Sequence, residues 1–214
     1  MKKIGVQLFG LKKEMEEDVY QTLHKIKDIG FDAVETAVIF DDRSGKINKR
    51  AEEIAEMMGQ PLPKSVWMQE DAAKYMDYAV SIGLQITSCQ VFFADAYDGM
   101  AEEIKLALLD FANKYGIKEY VFSYMASTRE HCDAQKNNLN TTIGYLEENG
   151  IHLAYHNHEL ELQNYVGEQT VLDYLLSIAD ERLKIQFDIG WAYFANYKVE
   201  GFIDKYHDRI SSLH

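Results

Sequence analysis

The chain has 214 residues, enough for one well-buried domain and within the length that a barrel fold uses as a single unit. Hydrophobic residues make up 47% of it and aromatic residues 12%, which excludes a disordered chain. The formal net charge is −13, and no cluster of lysine and arginine offsets it, which argues against a nucleic-acid-binding protein.

Short β-rich runs alternate with helical patterns along the chain. The predicted strands are residues 4–9, 31–35, 84–91, 117–123, 151–156, 183–188 and 210–214. The predicted helices are residues 17–29, 47–58, 69–82, 100–115, 132–149, 170–178 and 199–206. Four of these helices run into a glycine that ends the helix just before the next strand: Gly30, Gly83, Gly116 and Gly150.

This alternation predicts a parallel sheet with helices outside it, either doubly wound or closed as a (βα)8 barrel. No glycine-rich nucleotide motif follows any strand, whereas polar residues collect at the ends of several strands, as a barrel enzyme requires. We therefore predict one α/β domain over residues 1–214, a TIM barrel. Seven strands are one fewer than closure needs. The eighth unit either lies beyond residue 214 or is naturally missing, and without it we expect open sheet edges, weak activity or self-association.

Two cysteines, Cys89 and Cys132, lie far apart and predict neither a disulfide framework nor a CxxC metal site. No apolar stretch approaches the roughly 18 residues of a membrane span. We expect a cytoplasmic protein that does not bind membranes.

The candidate site lies at strand ends. Because strand residues alternate between faces, the last inward-pointing residue of four strands can converge at the barrel mouth: Glu35, His156, Asp188 and His214. Mixed imidazole and carboxylate ligands suit Zn²⁺, Mn²⁺, Co²⁺ or Fe²⁺ and match Ca²⁺ poorly. We expect Asp188 and His214 to bind the metal, with His156 as the third ligand and His158 as its substitute.

Each of these residues also has an ordinary structural explanation. A single histidine at a strand end is more often a hydrogen-bonded structural residue, and aspartate is common in loops and caps. Trp191 can equally be a packing residue. The joint occurrence at equivalent strand ends is what indicates a site.

Further residues near strand ends complete the prediction. Glu35 and Glu159 are expected to line the cleft as polar contacts or proton carriers, and Trp191 as an apolar wall. We also assign His158, Gln7 and Gln90 to substrate binding.

Three segments carry a resemblance to a known family: residues 155–159 (YHNHE), 187–192 (FDIGWA) and 208–214 (DRISSLH). Together with residues 5–8 (GVQL) and 30–35 (GFDAVE), they resemble the sugar phosphate isomerase/epimerase family over the whole chain. The resemblance implies a xylose isomerase-like TIM barrel.

The resemblance also implies a set of four metal ligands, a Glu, an Asp, a His and a Glu at the ends of strands five to eight. Asp188 and His214 match this set, and His156 stands at the position of the first Glu. In the family the two glutamates also move the proton. Here Glu159, Glu161, Glu35 or His156 would have to do so, or the chain is inactive.

The activity that the resemblance implies is isomerisation or epimerisation of a ketose, an inosose or a sugar phosphate. The reaction would proceed by α-proton abstraction through an enediolate, with a divalent metal (Mn, Zn, Co or Fe). An inosose-type dehydratase and a non-catalytic sugar-binding barrel stay open as alternatives. A DNA-repair nuclease of the same family is disfavoured by the charge of −13. The expected partner is a small-molecule sugar, and a homo-oligomer is left open.

Overall fold

The computed structural model describes residues 4–40, 63–93 and 102–214, which form two compact units. The first unit comprises residues 1–95 and 100–120, and the second comprises residues 96–99 and 121–214. The predicted helix at residues 47–58 lies outside the described residues. One domain over residues 1–214 stays a prediction.

The first unit alternates strands and helices. Its strands are β1 (Gly5–Gln7), β2 (Ala33–Phe40), β3 (Trp67–Met68) and β4 (Gln85–Phe93). Its helices are α1 (Lys12–Glu17), α2 (Val19–Ile29), α3 (Gln69–Ser81) and α4 (Glu102–Tyr115). A short 3-10 helix, Leu8–Leu11, follows β1, and β5 (Glu119–Phe122) begins at the end of this unit.

Strand β2 pairs in parallel with both β1 and β4, and all eight of its residues are buried. A mostly apolar sequence is what a parallel strand covered on both faces requires. The prediction that this strand ends at Glu35 is wrong, because β2 continues to Phe40. The segment after Glu35 pairs with residues 89–93 of β4, so Glu35 lies inside the strand and not at its end.

The second unit continues the alternation. Its strands after β5 are β6 (His152–His156), β7 (Tyr165–Val166), β8 (Gln169–Thr170), β9 (Lys184–Phe187) and β10 (Ile210–Leu213). Its helices are α5 (Arg129–Glu148), α6 (Leu160–Gln163), α7 (Val171–Ile178), α8 (Ile189–Phe194) and α9 (Val199–Tyr206).

Strands β6, β9 and β10 pair in parallel, in that order, and β7 and β8 form a small antiparallel hairpin. The pairing β6–β9 and β9–β10 follows chain order, as neighbouring strands do in the wall of a barrel. His214, just after β10, is held by two backbone hydrogen bonds of 2.9 Å. Its N–H donates to Phe187, and its carbonyl accepts from Ile189.

The predicted helix–glycine–strand junctions are confirmed. Gly30, Gly83, Gly116 and Gly150 have φ values of 105°, 84°, 71° and 71°, in the left-handed region that favours glycine. At Gly30, the next N–H, that of Phe31, donates back to the carbonyl of Ile26 at 3.2 Å and closes the helix end. Among the described residues, no helix is both long and apolar enough to span a bilayer.

Candidate metal centre

Three side chains predicted to bind metal lie together in the second unit. His156 ends β6, Asp188 directly follows β9 and His214 directly follows β10. One ligand atom from each lies within 4.8 Å of the other two. Asp188 Oδ2 is 3.8 Å from His156 Nε2 and 3.7 Å from His214 Nδ1.

The donor set fits a divalent transition metal. With bonds of about 2.1 Å, two ligands of a tetrahedral ion lie roughly 3.4 Å apart, a few tenths of an ångström closer than these pairs. Two imidazoles and one carboxylate match the ligands that zinc and its neighbours prefer. Three protein ligands are also the number found in catalytic zinc sites, which keep one position open.

Asp188 is oriented by its own helix. It is the N-cap of α8, and its Oδ1 accepts the Trp191 N–H at 2.7 Å, which leaves Oδ2 toward the imidazoles. Burial opposes ionisation of Asp188. The nearby His214, the Trp191 N–H and His156 outweigh burial and hold its pKa below the ordinary value. Asp188 is therefore an anion at neutral pH, as a metal ligand should be.

Asn157 holds the backbone on which Asp188 sits. Its Oδ1 accepts the Asp188 N–H at 2.9 Å, and its Nδ2 donates to the Asp188 carbonyl at 3.2 Å. Asn157 is fully buried. One amide side chain thus binds both backbone groups of Asp188 and fixes the end of β9 against the end of β6.

Gly190 leaves room for the carboxylate. A Cβ atom at this position would lie 3.1 Å from Asp188 Oδ1, closer than ordinary van der Waals contact. A side chain at position 190 would therefore press on the carboxylate of Asp188, which explains the glycine in the Asp-Ile-Gly sequence.

His156 has a second partner on the neighbouring strand. Its Nδ1 is 2.9 Å from Oε1 of Gln186, and the two residues are direct partners in the β6–β9 pairing. Both side chains are buried, with exposures of 4% and 1%.

His158 lies beside this centre. Its ring centroid is 5.0 Å from that of His156 and 5.4 Å from that of Trp191, and its Nδ1 is 3.0 Å from Ser123 Oγ. Burial, together with His156, lowers the pKa of His158 to about 4, so its imidazole is neutral at pH 7.

Trp191 occupies α8, where the sequence predicts no helix. Its side chain is 36% exposed, and its ring meets Phe194 edge-on at 5.8 Å. An apolar ring, partly open to solvent, thus lies in contact with His158.

Two glutamates follow β6. Glu159, at the start of α6, has a buried Oε2 without a hydrogen-bond partner among the described residues. Glu161 is 0% exposed, and its carboxylate accepts the Tyr155 hydroxyl at 2.7 Å and the His158 N–H at 3.1 Å. Burial raises the pKa of Glu161 to about 7 despite these donors.

The remaining predicted site residues belong to the first unit. Glu35 is 4% exposed and accepts hydrogen bonds from Gln7 Nε2, at 3.1 Å, and from the Ser88 hydroxyl. Gln90 is buried on β4, two residues after Ser88 and therefore on the same face of the strand. Through the hydrogen bonds to Glu35, the side chains of Gln7, Glu35 and Ser88 form one polar cluster.

Sequence reasoning does not find Gln186, Asn157 or Ser123. Gln186 shares a strand face with Asp188, which is a usable signal. The hydrogen bonds of Asn157 and Ser123 reach 31 and 35 residues along the chain, so no local pattern reveals them.

No sequence model of a known family matches the chain, and no curated protein sequence does either. Solved structures do match. A sugar phosphate isomerase/epimerase from Parabacteroides distasonis superimposes with a TM-score of 0.71 at 19% identity, over 100% of this chain and 74% of that one.

Two further structures share the architecture. A xylose isomerase-like TIM barrel protein from Mycobacterium smegmatis, in complex with magnesium, matches at 14% identity with a TM-score of 0.59, over 98% of this chain and 73% of that one. The chain has the xylose isomerase-like TIM-barrel fold. The 3-keto-D-glucoside 4-epimerase from E. coli matches at 15% identity, also with a TM-score of 0.59, over 100% of this chain and 78% of that one.

This fold explains the placement of the centre. Active sites of TIM barrels are built at the carboxyl ends of the strands. His156, Asp188 and His214 occupy that position on β6, β9 and β10, which are paired neighbours.

Proposed function

We propose that this chain is a metal-dependent sugar isomerase or epimerase that acts on a ketose, an inosose or a sugar phosphate. The observation that carries the proposal is the convergence of His156, Asp188 and His214 at the ends of three paired strands. The xylose isomerase-like fold, shared with an isomerase/epimerase and a keto-sugar epimerase, supports it.

His156, Asp188 and His214 would hold the metal, which is Mn²⁺, Zn²⁺, Co²⁺ or Fe²⁺ by the chemistry of the ligands. When bound, such an ion supplies Lewis-acid polarisation of a substrate carbonyl. The ionised Asp188 supplies the negative charge of the centre.

Proton transfer would belong to groups other than the three ligands. Glu159 places a buried carboxylate oxygen without a partner among the described residues just after β6, which suits a group that takes a proton from carbon. His158 is a neutral imidazole oriented through Ser123, and it can accept or donate a hydrogen bond to substrate hydroxyls. The product of α-proton removal is an enediolate. Return of the proton to another carbon or another face gives isomerisation or epimerisation.

Trp191 would form the apolar wall of the cleft. Its partly exposed ring is supported by His158 and Phe194, so it offers a fixed surface to the C–H face of a sugar. Glu35 stays a proposed proton carrier, and Gln7 and Gln90 stay proposed substrate contacts.

Metal analysis tests the first part of the proposal. Protein purified without chelator should contain close to one transition-metal ion per chain. Asp188→Ala and His214→Ala should lose it, because each removes one of three ligands. Asp204→Ala and His207→Ala change exposed residues of the same types and should retain the metal. Unchanged metal content in the first pair contradicts the assignment.

Hydrogen exchange tests the chemistry. Keto sugars incubated with the metal-loaded chain in D₂O should gain deuterium next to the carbonyl, and Glu159→Gln should slow this by about 100-fold or more. A product lighter by one water would support a dehydratase instead. Sugar binding without any exchange would support the non-catalytic sugar-binding barrel.

A further inference from the structure

We propose that Gln186 is the positioning residue of His156: it fixes the ring tautomer so that Nε2 is the unprotonated nitrogen at the metal centre. This inference rests on the proposed function, because it concerns one of the three proposed ligands. Gln186 is not itself one of these ligands, and its proposed role is to orient one of them.

The hydrogen bond between the two side chains defines the tautomer. An amide oxygen can only accept, so the 2.9 Å contact between Gln186 Oε1 and His156 Nδ1 requires the proton to be on Nδ1. The other nitrogen, Nε2, then carries the lone pair. That nitrogen is the one that lies 3.8 Å from Asp188 Oδ2.

Strand pairing makes Gln186 the residue best placed for this task. His156 and Gln186 are direct partners in the β6–β9 register, so their side chains emerge side by side from one face. Exposures of 4% and 1% keep bulk water from taking over the contact. A buried imidazole nitrogen without a partner would cost free energy, and the fixed amide removes that cost while selecting one tautomer.

Gln186 has this role because β6 ends in a histidine and not in a glutamate. A carboxylate ligand has no tautomer and needs no such neighbour. An imidazole binds metal through one nitrogen only when the other is protonated, and a hydrogen-bond acceptor on that side also orients the ring. His156 is thereby committed to the ligand role, and proton transfer is left to Glu159 and Glu35, the proposed proton carriers.

The tautomer can be measured without any metal. Two-bond ¹H–¹⁵N correlation spectra of metal-free protein distinguish Nδ1–H from Nε2–H histidine. His156, assigned by its loss in His156→Asn, should show the Nδ1–H pattern. In Gln186→Leu this pattern should change to Nε2–H or to a mixture, while Gln186→Glu, which keeps the acceptor, should preserve it.

Metal affinity provides the second readout, with Co²⁺ alone as the probe. Gln186→Leu should bind Co²⁺ about 10- to 100-fold more weakly than the wild type, and Gln186→Glu should stay within a few-fold of it. Gln135→Leu is the matched control, since it replaces another buried glutamine of the second unit, at 2% exposure, on α5. It should leave Co²⁺ affinity unchanged.

The outcomes separate the two proposals. An Nε2–H pattern for His156 in the wild type overturns the role of Gln186, as does a Gln186→Leu variant with wild-type tautomer or Co²⁺ affinity. If Gln186→Leu fails to fold, the wild-type spectrum and Gln186→Glu still decide. A wild type with the Nδ1–H pattern that binds no Co²⁺ supports the role of Gln186 and contradicts the proposed function.

Discussion

At the scale of single residues, Asp188 uses its two carboxylate oxygens for different contacts. Oδ1 caps α8 and Oδ2 faces the imidazoles of His156 and His214. The helix cap therefore sets the direction of Oδ2, the oxygen that would bind the proposed metal. Any change that moves Oδ1 should be felt at the metal.

Gly190→Ala is predicted to weaken metal binding without weakening the fold. Alanine favours a helix over glycine by up to about 1 kcal/mol, but its Cβ would press on Asp188 Oδ1 from 3.1 Å. Strain on the Asp188 helix cap offsets the gain in helix propensity, so we expect a melting temperature close to that of the wild type and Co²⁺ affinity reduced at least several-fold. The two are measured by thermal unfolding and chelator competition.

Gly144→Ala in α5 is the matched control for that prediction. A Cβ there would meet nothing within 4 Å, so stability should rise and Co²⁺ affinity should stay constant. Equal Co²⁺ affinity in both glycine variants would contradict the steric role of Gly190.

Glu161 predicts a pH dependence of stability. Burial raises its pKa from the ordinary value of 4.5 to about 7, so the folded chain binds more protons than the unfolded chain between these values. The contribution of Glu161 to the free energy of unfolding is therefore full below pH 4.5 and is lost as the pH rises through about 7. The difference in pKa corresponds to about 3 kcal/mol.

Urea unfolding from pH 4.5 to 8 measures this effect. Glu161→Gln keeps a neutral side chain of the same shape, so it should not show the loss of stability that the wild type shows over this range. Glu168→Gln alters an exposed glutamate and should follow the wild type. Parallel pH profiles for the wild type and Glu161→Gln would disprove the assignment.

The convergence of His156, Asp188 and His214 could be predicted, because each stands at the carboxyl end of its strand and strand residues alternate between faces. The partners of these residues could not be. Glu35 looks like the polar end of a strand, yet it is buried mid-strand, since Gln7 and Ser88 donate to it from 28 and 53 residues away. No local pattern contains that information.

At the scale of elements, the hydrophobic period predicts most of the fold. The predicted helix at 199–206 agrees with α9 at both ends, and the strand at 183–188 differs from β9 by one residue at each end. The period does not predict α8, whose six residues are too few to show it. The cap at Asp188 is what starts that helix.

We predict that the contact of Asn157 with the backbone of Asp188, which joins the ends of β6 and β9, supports metal binding as well as stability. Asn157→Ala removes both hydrogen bonds to the Asp188 backbone and leaves buried groups unpaired, which should cost about 1–3 kcal/mol of folding free energy. Because Asp188 then loses its backbone support, Co²⁺ affinity should also fall by about 10-fold or more. Urea unfolding and chelator competition give the two values.

Asn164→Ala separates the two effects. It removes an amide that donates to the Leu160 carbonyl at 2.8 Å, within the same connection, so it should reduce stability alone. A fall in Co²⁺ affinity of the same size in both asparagine variants would show that the strand-end contact has no special role.

At the scale of the whole molecule, metal should act as a stabilising ligand. A ligand at 100 times its Kd adds about 2.7 kcal/mol to the free energy of unfolding, which for a chain of this size is roughly 5–10 °C in melting temperature. We expect this rise with Zn²⁺ and its reversal by EDTA. Asp188→Asn, which keeps an oxygen for the helix cap, should melt near the metal-free wild type and show no rise.

The histidine at the end of β6 also changes the electrical balance of the centre. If the centre holds a divalent cation, two neutral imidazoles and one carboxylate leave it with one net positive charge. This is one unit more than the same centre would have with a glutamate in place of His156. The chain as a whole carries −13. A monoanion bound at this point would neutralise the centre, and a negatively charged oxygen that develops on a sugar would be held there more strongly than at a site with a glutamate in place of His156.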